Sequence, residues 1–259
     1  MSISKKQLQK LLAFSIQIVK SSSSITMKYF GRKVKTSLKP NKSPVTIADL
    51  KCEEYLIKEI KKKYPSHDIY SEESGREDNG SEFMWIIDPL DGTKNFIRQF
   101  PYWGTLLALE YGGEIILGII SMPALKEFIY ASRNDGCFIN GRKTKVSNLE
   151  KIENSFCIFG GLDYILKQSY RNKFLDIASK CYYSRGFGDC HGHSFIIKGQ
   201  AEFMIDPHTE PYDVAATKIC VEEAGGMLTD TKGNRSIYNG DALISNGRVH
   251  EEVIKMLNG

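Results

Sequence analysis

The sequence predicts an α+β half followed by an α/β half, stacked as layers of helix and sheet. Three observations carry that expectation. Apolar residues recur at helical spacing near the N-terminus, at Leu8, Leu11, Leu12, Ile18, Val19, Ile25 and Phe30. Three strand-like runs follow one another from Trp103 to Ser132, with Gly112-Gly113 between the first two. Helical and strand-like segments then alternate to the C-terminus. The 259 residues suffice for a single domain of two lobes, about 1–145 and about 146–259.

In chain order, a long amphipathic helix is expected over residues 5–30. A basic loop or hairpin follows over 31–44, carrying Pro40 and Pro44. A second helix runs from Thr46 to Tyr64, with Leu50, Ile57, Ile60 and Tyr64 as its apolar stripe, and stops before Pro65. Ile69-Tyr70 reads as a short strand and residues 75–82 as a surface loop. Phe83 to Ile87 is a buried strand ending at Asp88. Trp103–Tyr111, Ile115–Met122 and Phe128–Ser132 are further strands, and Asn140-Gly141 is a turn. In the second half, Gln168–Lys180, His193–Lys198, Pro211–Ala224 and Val249–Leu257 read as helices, the third closed by Gly225-Gly226. Ala201–Ile205, Met227–Thr229 and Ala242–Ile244 read as strands.

Bulk properties exclude several classes. A composition 41% hydrophobic and 25% charged is that of a folded globular chain, neither disordered nor collagen-like. A net charge of +4 with dispersed Lys and Arg lacks the concentrated basic face of a nucleic-acid binder. No stretch reaches the ~18 apolar residues of a membrane span. The N-terminus lacks the apolar run of a secretory signal, so a cytoplasmic location is expected. The six cysteines, at 52, 137, 157, 181, 190 and 220, form no Cys-x-x-Cys and read as scattered reduced thiols.

The informative feature is where the carboxylates fall. Asp88 and Asp91 flank Pro89-Leu90 at the exit of a buried strand, where unpaired charge is costly. A divalent cation compensates that cost, and Mg²⁺ takes hard oxygen ligands while keeping waters for a substrate. The Leu90 carbonyl can add a ligand. Gly92 and Thr93 open a short helix, whose N-terminal N–H groups suit a phosphate. Glu72 and Glu73 lie one loop away, and Asp213 begins a later helix. Taken singly each has an ordinary reading. Asp88 and Asp91 are turn residues or N-caps, Thr93 is a helix cap, and Glu72 is surface. Asp213 favours a helix dipole, and Asp49 completes a capping box with Thr46.

The combination is more specific. Trp85-Ile-Ile-Asp-Pro-Leu-Asp-Gly-Thr-Lys-Asn-Phe96 resembles the signature of the inositol monophosphatase superfamily. Pro44-Val-Thr-Ile-Ala-Asp49, Glu72-Glu73-Ser74 and Glu210-Pro-Tyr-Asp-Val-Ala-Ala216 look like its other motifs, in the family's order across nearly the whole chain. The resemblance implies an α-β-α-β-α layered sandwich and hydrolysis of small phosphate monoesters with two or three Mg²⁺. It also implies a homodimer, with Phe100-Pro-Tyr-Trp103 either at the interface or in the core. The metal ligands it implies are Glu72, Asp88, the Leu90 carbonyl, Asp91 and Asp213. By the same resemblance, Glu72, Thr93 and Asp49 would carry the catalytic roles, with Asp49 and Thr93 helping to activate water, while Gly92 and Thr93 would take the phosphate. Tyr212 departs from the Trp common before that last Asp, and keeps an aromatic wall. A catalytically inactive scaffold on this fold would have lost some of these residues, and all are present.

Gly188-Asp-Cys190 followed by Asp206-Pro207 looks like the histidinol-phosphate phosphatase branch of the superfamily. Histidinol phosphate carries an ammonium and an imidazole, to which Asp189, Asp206 and Glu210 would offer carboxylates. Singly, Asp189 reads as a loop or helix cap and Asp206 as a strand-end turn residue. Inositol-1-phosphate, a sugar bisphosphate or a nucleotide 3′-phosphate are the alternatives. His191 and His193 read as pocket rim or packing, since Mg²⁺ prefers oxygen.

Overall fold

The computed structural model describes residues 3–39 and 43–259. Pro40 lies outside them. The chain begins with α1 (Lys5–Met27), a hairpin of β1 (Thr36–Leu38) and β2 (Pro44–Thr46), and α2 (Ile47–Lys63). Then come β3 (Asp68–Ser71), β4 (Gly75–Glu77), β5 (Phe83–Asp91), the short α3 (Thr93–Ile97), β6 (Gly104–Tyr111), β7 (Glu114–Met122), β8 (Glu127–Ser132), β9 (Gly136–Ile139) and β10 (Arg142–Lys143). The remainder is β11 (Phe156–Phe159), α4 (Leu162–Ile165), α5 (Arg171–Lys180), β12 (Tyr183–Gly186), α6 (Asp189–Ile197), β13 (Phe203–Asp206), α7 (Pro211–Glu223), β14 (Met227–Thr229), β15 (Ala242–Ser245) and α8 (His250–Asn258).

Two sheets organise these elements. One runs β10-β9-β8-β7-β6-β5-β3-β4 and is antiparallel except where β3 pairs with β5. The other runs β12-β11-β13-β15-β14, with β11 parallel to both neighbours. Strand alternation divides the first sheet between two cores. Trp85 and Ile87 face α1 and α2, packing with Leu11, Ile18, Leu56 and Ile60. Met84 and Ile86 face the middle layer, against Ile196 of α6, Ile219 of α7 and Met204 of the second sheet. Cys157, Phe203 and Leu243, on the far side of that sheet, meet Phe174 of α5 and Val253 of α8. The result is the α-β-α-β-α sandwich that the family resemblance implies.

Several local expectations change. The first helix ends at Met27, and Phe30 turns back to pack on Phe96 and Trp103. In α2, Leu50 is 47% exposed. The buried stripe is Cys52, Leu56 and Ile60, one helical turn apart. Part of the 75–82 loop is β4, pairing with β3. The strand expected to stop at Asp88 continues to Asp91 through a register shift against β6, so the two aspartates sit on a bulged strand and not in a turn. The helix expected from His193 starts at Asp189. β9 to β12 and α4 have no counterpart in the sequence reading.

Candidate metal centre and adjoining cavity

Three carboxylates from two elements converge. Asp88 and Asp91 leave the bulged end of β5, and Asp213 stands in the first turn of α7. One ligand oxygen from each lies within 4.8 Å of the others. Asp88 and Asp91 are buried and Asp213 is half-buried. Asp88 Oδ1 accepts from Leu90 N–H (2.9 Å), Asp91 Oδ2 from Cys190 N–H (2.5 Å) and Asp213 Oδ2 from Glu210 N–H (2.7 Å). Among the described residues, no Lys, Arg or His forms an ion pair with any of them.

The electrostatic consequence is large. Burial, then the charges of Glu72, Asp91 and Asp213, pushes the Asp88 carboxyl well above the usual range. Burial and the charges of Asp189 and Asp213 do the same to Asp91, and burial dominates at Asp213 as well. Three crowded oxygen donors with no counter-charge are what a hard divalent cation requires. The residues present therefore fit such an ion.

The expected neighbours are assembled around this cluster. Glu72 lies close enough to raise the pKa of Asp88. It is also held by Lys39 Nζ at 2.7 Å, and the same ammonium reaches Glu73 at 2.6 Å. Burial opposes the charge on Lys39, but these two partners outweigh it and raise its pKa. Burial pushes Glu73 up to about 7. The Leu90 carbonyl accepts from Thr93 Oγ1 at 3.0 Å, and the same hydroxyl reaches Asp49 Oδ1 at 3.1 Å. Asp49 Oδ2 takes the Thr46 N–H (2.9 Å) and the Thr46 hydroxyl. The capping box and the contact with Thr93 therefore coexist in one residue. Burial raises the Asp49 pKa despite these donors.

Gly92 has φ +81, and a Cβ there would come within 2.8 Å of the Tyr102 carbonyl and 3.2 Å of Asp189 Oδ2. A side chain is excluded at the start of α3 on both counts. Asp189 itself adopts φ 58, unusual for a non-glycine residue. It is fixed by Asn95 Nδ2, which donates to Oδ2 at 2.9 Å. Burial, then the charge of Asp206, pushes Asp189 to about 6.

Asp91 and Asp213 form one end of a cavity of about 240 Å³. Its other lining includes Lys94, Gly160, Asp163, Tyr164, Asp189, His193, Asp206 and His208. Tyr164 and His208 stack there with ring centroids 4.6 Å apart. Sequence reasoning missed Lys94, Asp163, Tyr164 and His208. Lys94 lies inside the quoted twelve-residue motif, but the other three meet only through tertiary packing. Glu210, expected as a third substrate carboxylate, is exposed at the N-cap of α7 and does not line the cavity. Its side chain instead accepts from the backbone N–H of Asp213 as part of the capping box, while Asp163 is a further carboxylate in the lining. His191 stacks on Tyr102 at 4.3 Å, a packing role.

The model of the inositol monophosphatase family matches residues 7–258. The chain belongs to the inositol monophosphatase family. It is accordingly a phosphatase of that family. It is 35% identical over 235 residues to a histidinol-phosphatase of Chlorobaculum parvum, covering 90% of this chain and 91% of that one. It is 32% identical over 251 residues to a fructose-1,6-bisphosphatase/inositol-1-monophosphatase of Thermotoga maritima, covering 95% of each. Among solved structures, an IMPase of Thermotoga maritima superposes with a TM-score of 0.87 at 30% identity, covering 96% of this chain and 97% of that one. No helix among the described residues is long and apolar enough to cross a membrane.

Proposed function

We propose that this phosphatase hydrolyses histidinol phosphate to histidinol and inorganic phosphate, with Mg²⁺ as its cofactor. The observation that carries the substrate is the lining beyond the metal cluster. Asp163, Asp189 and Asp206 share one cavity with Asp91 and Asp213. A phosphate ester whose alcohol carries an ammonium and an imidazole matches that arrangement, phosphate at the cluster and cation at the carboxylates. Inositol would bring only neutral hydroxyls to the same wall. The relative named histidinol-phosphatase supports this reading, and the one named fructose-1,6-bisphosphatase/inositol-1-monophosphatase defines the competing substrates.

Asp88, Asp91 and Asp213, with Glu72 and the Leu90 carbonyl, are the groups assigned to hold the metal. When bound, Mg²⁺ would neutralise the phosphate dianion, lower the pKa of a bound water and stabilise the leaving alkoxide. Thr93 Oγ1 accepts a hydrogen bond from the attacking water and directs its own proton to Asp49 Oδ1. The raised pKa of Asp49 makes it a readier proton acceptor than an ordinary aspartate. The N–H groups of Gly92 and Thr93 take the phosphate oxygens. Asp189 and Asp206 orient the cationic end, so that the ester oxygen faces the cluster.

All six cysteines are free, which supports the expected cytoplasmic setting. A homodimer remains part of the proposal. Trp103 is in the core, but Phe100 is 55% exposed beside Tyr102, an apolar edge that supports such contact. Light scattering at assay concentration tests it. Phosphate release from histidinol phosphate and from inositol-1-phosphate, with Mg²⁺, tests the substrate. The expected kcat/KM favours histidinol phosphate by about tenfold or more. Faster turnover of inositol-1-phosphate overturns the assignment.

A further inference from the structure

Asp206 ends β13 at the cavity wall, and its two carboxylate oxygens are constrained from opposite sides. On one side, Oδ2 lies 3.4 Å from His193 Nε2. On the other, a Cβ built on Gly160 would lie 2.6 Å from Oδ1, so the carboxylate occupies space that only glycine leaves open. His193 is 1% exposed on α6, and its Nδ1 lies 2.9 Å from Thr217 Oγ1 on α7, a hydroxyl that is fully buried. The chain Thr217–His193–Asp206 thus runs from the packed middle layer to the cavity.

The donors and acceptors along this chain have one consistent assignment for a neutral ring. A carboxylate oxygen accepts only, so Nε2 must carry the proton facing Asp206. Nδ1 is then the acceptor, and the Thr217 hydroxyl must donate to it. A 2.9 Å bond from a fully buried hydroxyl therefore sets the tautomer and ring plane. The longer contact then orients one oxygen of Asp206 and leaves the remaining lone pairs for the cavity. His193 does not share the metal role assigned to the aspartates, since its two ring nitrogens are already engaged by Thr217 and Asp206.

We infer that His193, locked by Thr217, is a positioning residue that aims the Asp206 carboxylate at the cationic end of the substrate, with Gly160 providing the clearance. This rests on the proposed histidinol phosphate reading and deepens it. It makes selectivity for a cation-bearing alcohol depend on a residue that touches neither the metal cluster nor the phosphate.

The test measures kcat and KM for histidinol phosphate and, in parallel, for p-nitrophenyl phosphate, whose alcohol carries no cation. The wild-type arm, with inositol-1-phosphate added, reads the substrate assignment by itself. Failure of wild type to prefer histidinol phosphate sinks that assignment before any variant is considered. His193→Phe keeps an aromatic ring and removes the donor. It is expected to raise KM for histidinol phosphate about tenfold, the scale of one lost charge-assisted contact. The kcat for that substrate, and both constants for p-nitrophenyl phosphate, should stay within about twofold. His193→Gln, which restores an N–H donor, should recover most of the KM. Gly160→Ala pushes on the other oxygen and should reproduce the selective rise in KM, and it decides the matter if His193→Phe does not fold. Equal losses on both substrates in these variants, or an unchanged KM for histidinol phosphate, overturn the positioning role.

Discussion

Two groups of buried carboxylates in this chain are treated in opposite ways. Asp230 is 3% exposed and fully partnered. Its Oδ1 accepts from the N–H groups of Lys232 and Asn234, and its Oδ2 from the side-chain amides of Asn234 and Asn239, all at 2.6–2.9 Å. Burial pushes its pKa up, but these donors outweigh burial and bring it below the ordinary value. Asp88, Asp91 and Asp213 receive one backbone N–H each, and their pKa values rise well above the ordinary range. The fold can satisfy a buried carboxylate with neutral donors when it needs only a rigid loop. At the cluster those donors are withheld, and negative charge accumulates where a cation and a phosphate ester would meet. One region is built for stability, and the other holds back stability for function.

The sharpest way to break this contrast is to neutralise one carboxylate in each region. Asp91→Asn should lower turnover by about 10³-fold or more, the scale of losing transition-state charge stabilisation. Asp230→Asn should leave turnover within about twofold of wild type. Steady-state phosphate release reads both, and similar losses would erase the distinction. Within the functional region, Thr93→Ala should lower kcat by about 10²-fold with Mg²⁺ affinity little changed, and Thr93→Ser should retain most activity. A shift in Mg²⁺ affinity with unchanged kcat would move Thr93 from proton transfer to metal binding. In stability the order reverses. Asp230→Asn should cost about 2 kcal/mol in urea unfolding, because it exchanges accepting oxygens for an amide facing other donors.

The smallest effect, and the most diagnostic of sign, is the pH dependence. The cluster carboxylates have folded pKa values above their unfolded value of about 4. The metal-free native state therefore binds more protons than the unfolded state as pH rises past that value. Their contribution to stability is present at lower pH and is lost as pH rises through the folded pKa values, and Asp189, raised to about 6, acts in the same sense. Asp230 is depressed, so its contribution is present above the ordinary value and fades as pH falls through its folded pKa. Metal-free wild type should thus lose stability relative to Asp91→Asn with rising pH, and gain it relative to Asp230→Asn. Parallel pH profiles for the three proteins would contradict the opposite treatment of the two regions.

Legibility in the sequence follows the range of the interactions. Asp88 and Asp91 were readable because charge in an apolar strand is locally anomalous, and Asp213 because it follows Pro211 at a helix start. The continuation of the strand to Asp91 was not, because Pro89 lies between and only pairing with β6 carries the backbone through. Leu50 was misplaced because a helical stripe can be drawn through several residues. Packing against α1 and the first sheet selects Cys52, Leu56 and Ile60. β11 and β12 are four-residue strands joined side by side across about two dozen intervening residues, so neither has a hairpin signal. In the site, the partner of Glu72 was hidden because Lys39 is one of several bases in the 31–44 segment and only the hairpin fold brings it there. Asp163 in the cavity lining was hidden for the same reason. Local motifs identified the chemistry, while the cavity wall is a product of long-range packing.

As a cation site, the Asp88, Asp91 and Asp213 cluster should cost the fold stability when it is empty. Urea unfolding of metal-free wild type and Asp91→Asn near neutral pH, repeated with saturating Mg²⁺, tests this most directly. Asp91→Asn should be more stable than wild type without metal, by about 1 kcal/mol or more. Mg²⁺ should stabilise wild type and leave the variant nearly unchanged. A metal-free variant less stable than wild type, or equal stabilisation of both proteins by Mg²⁺, would contradict the cation site.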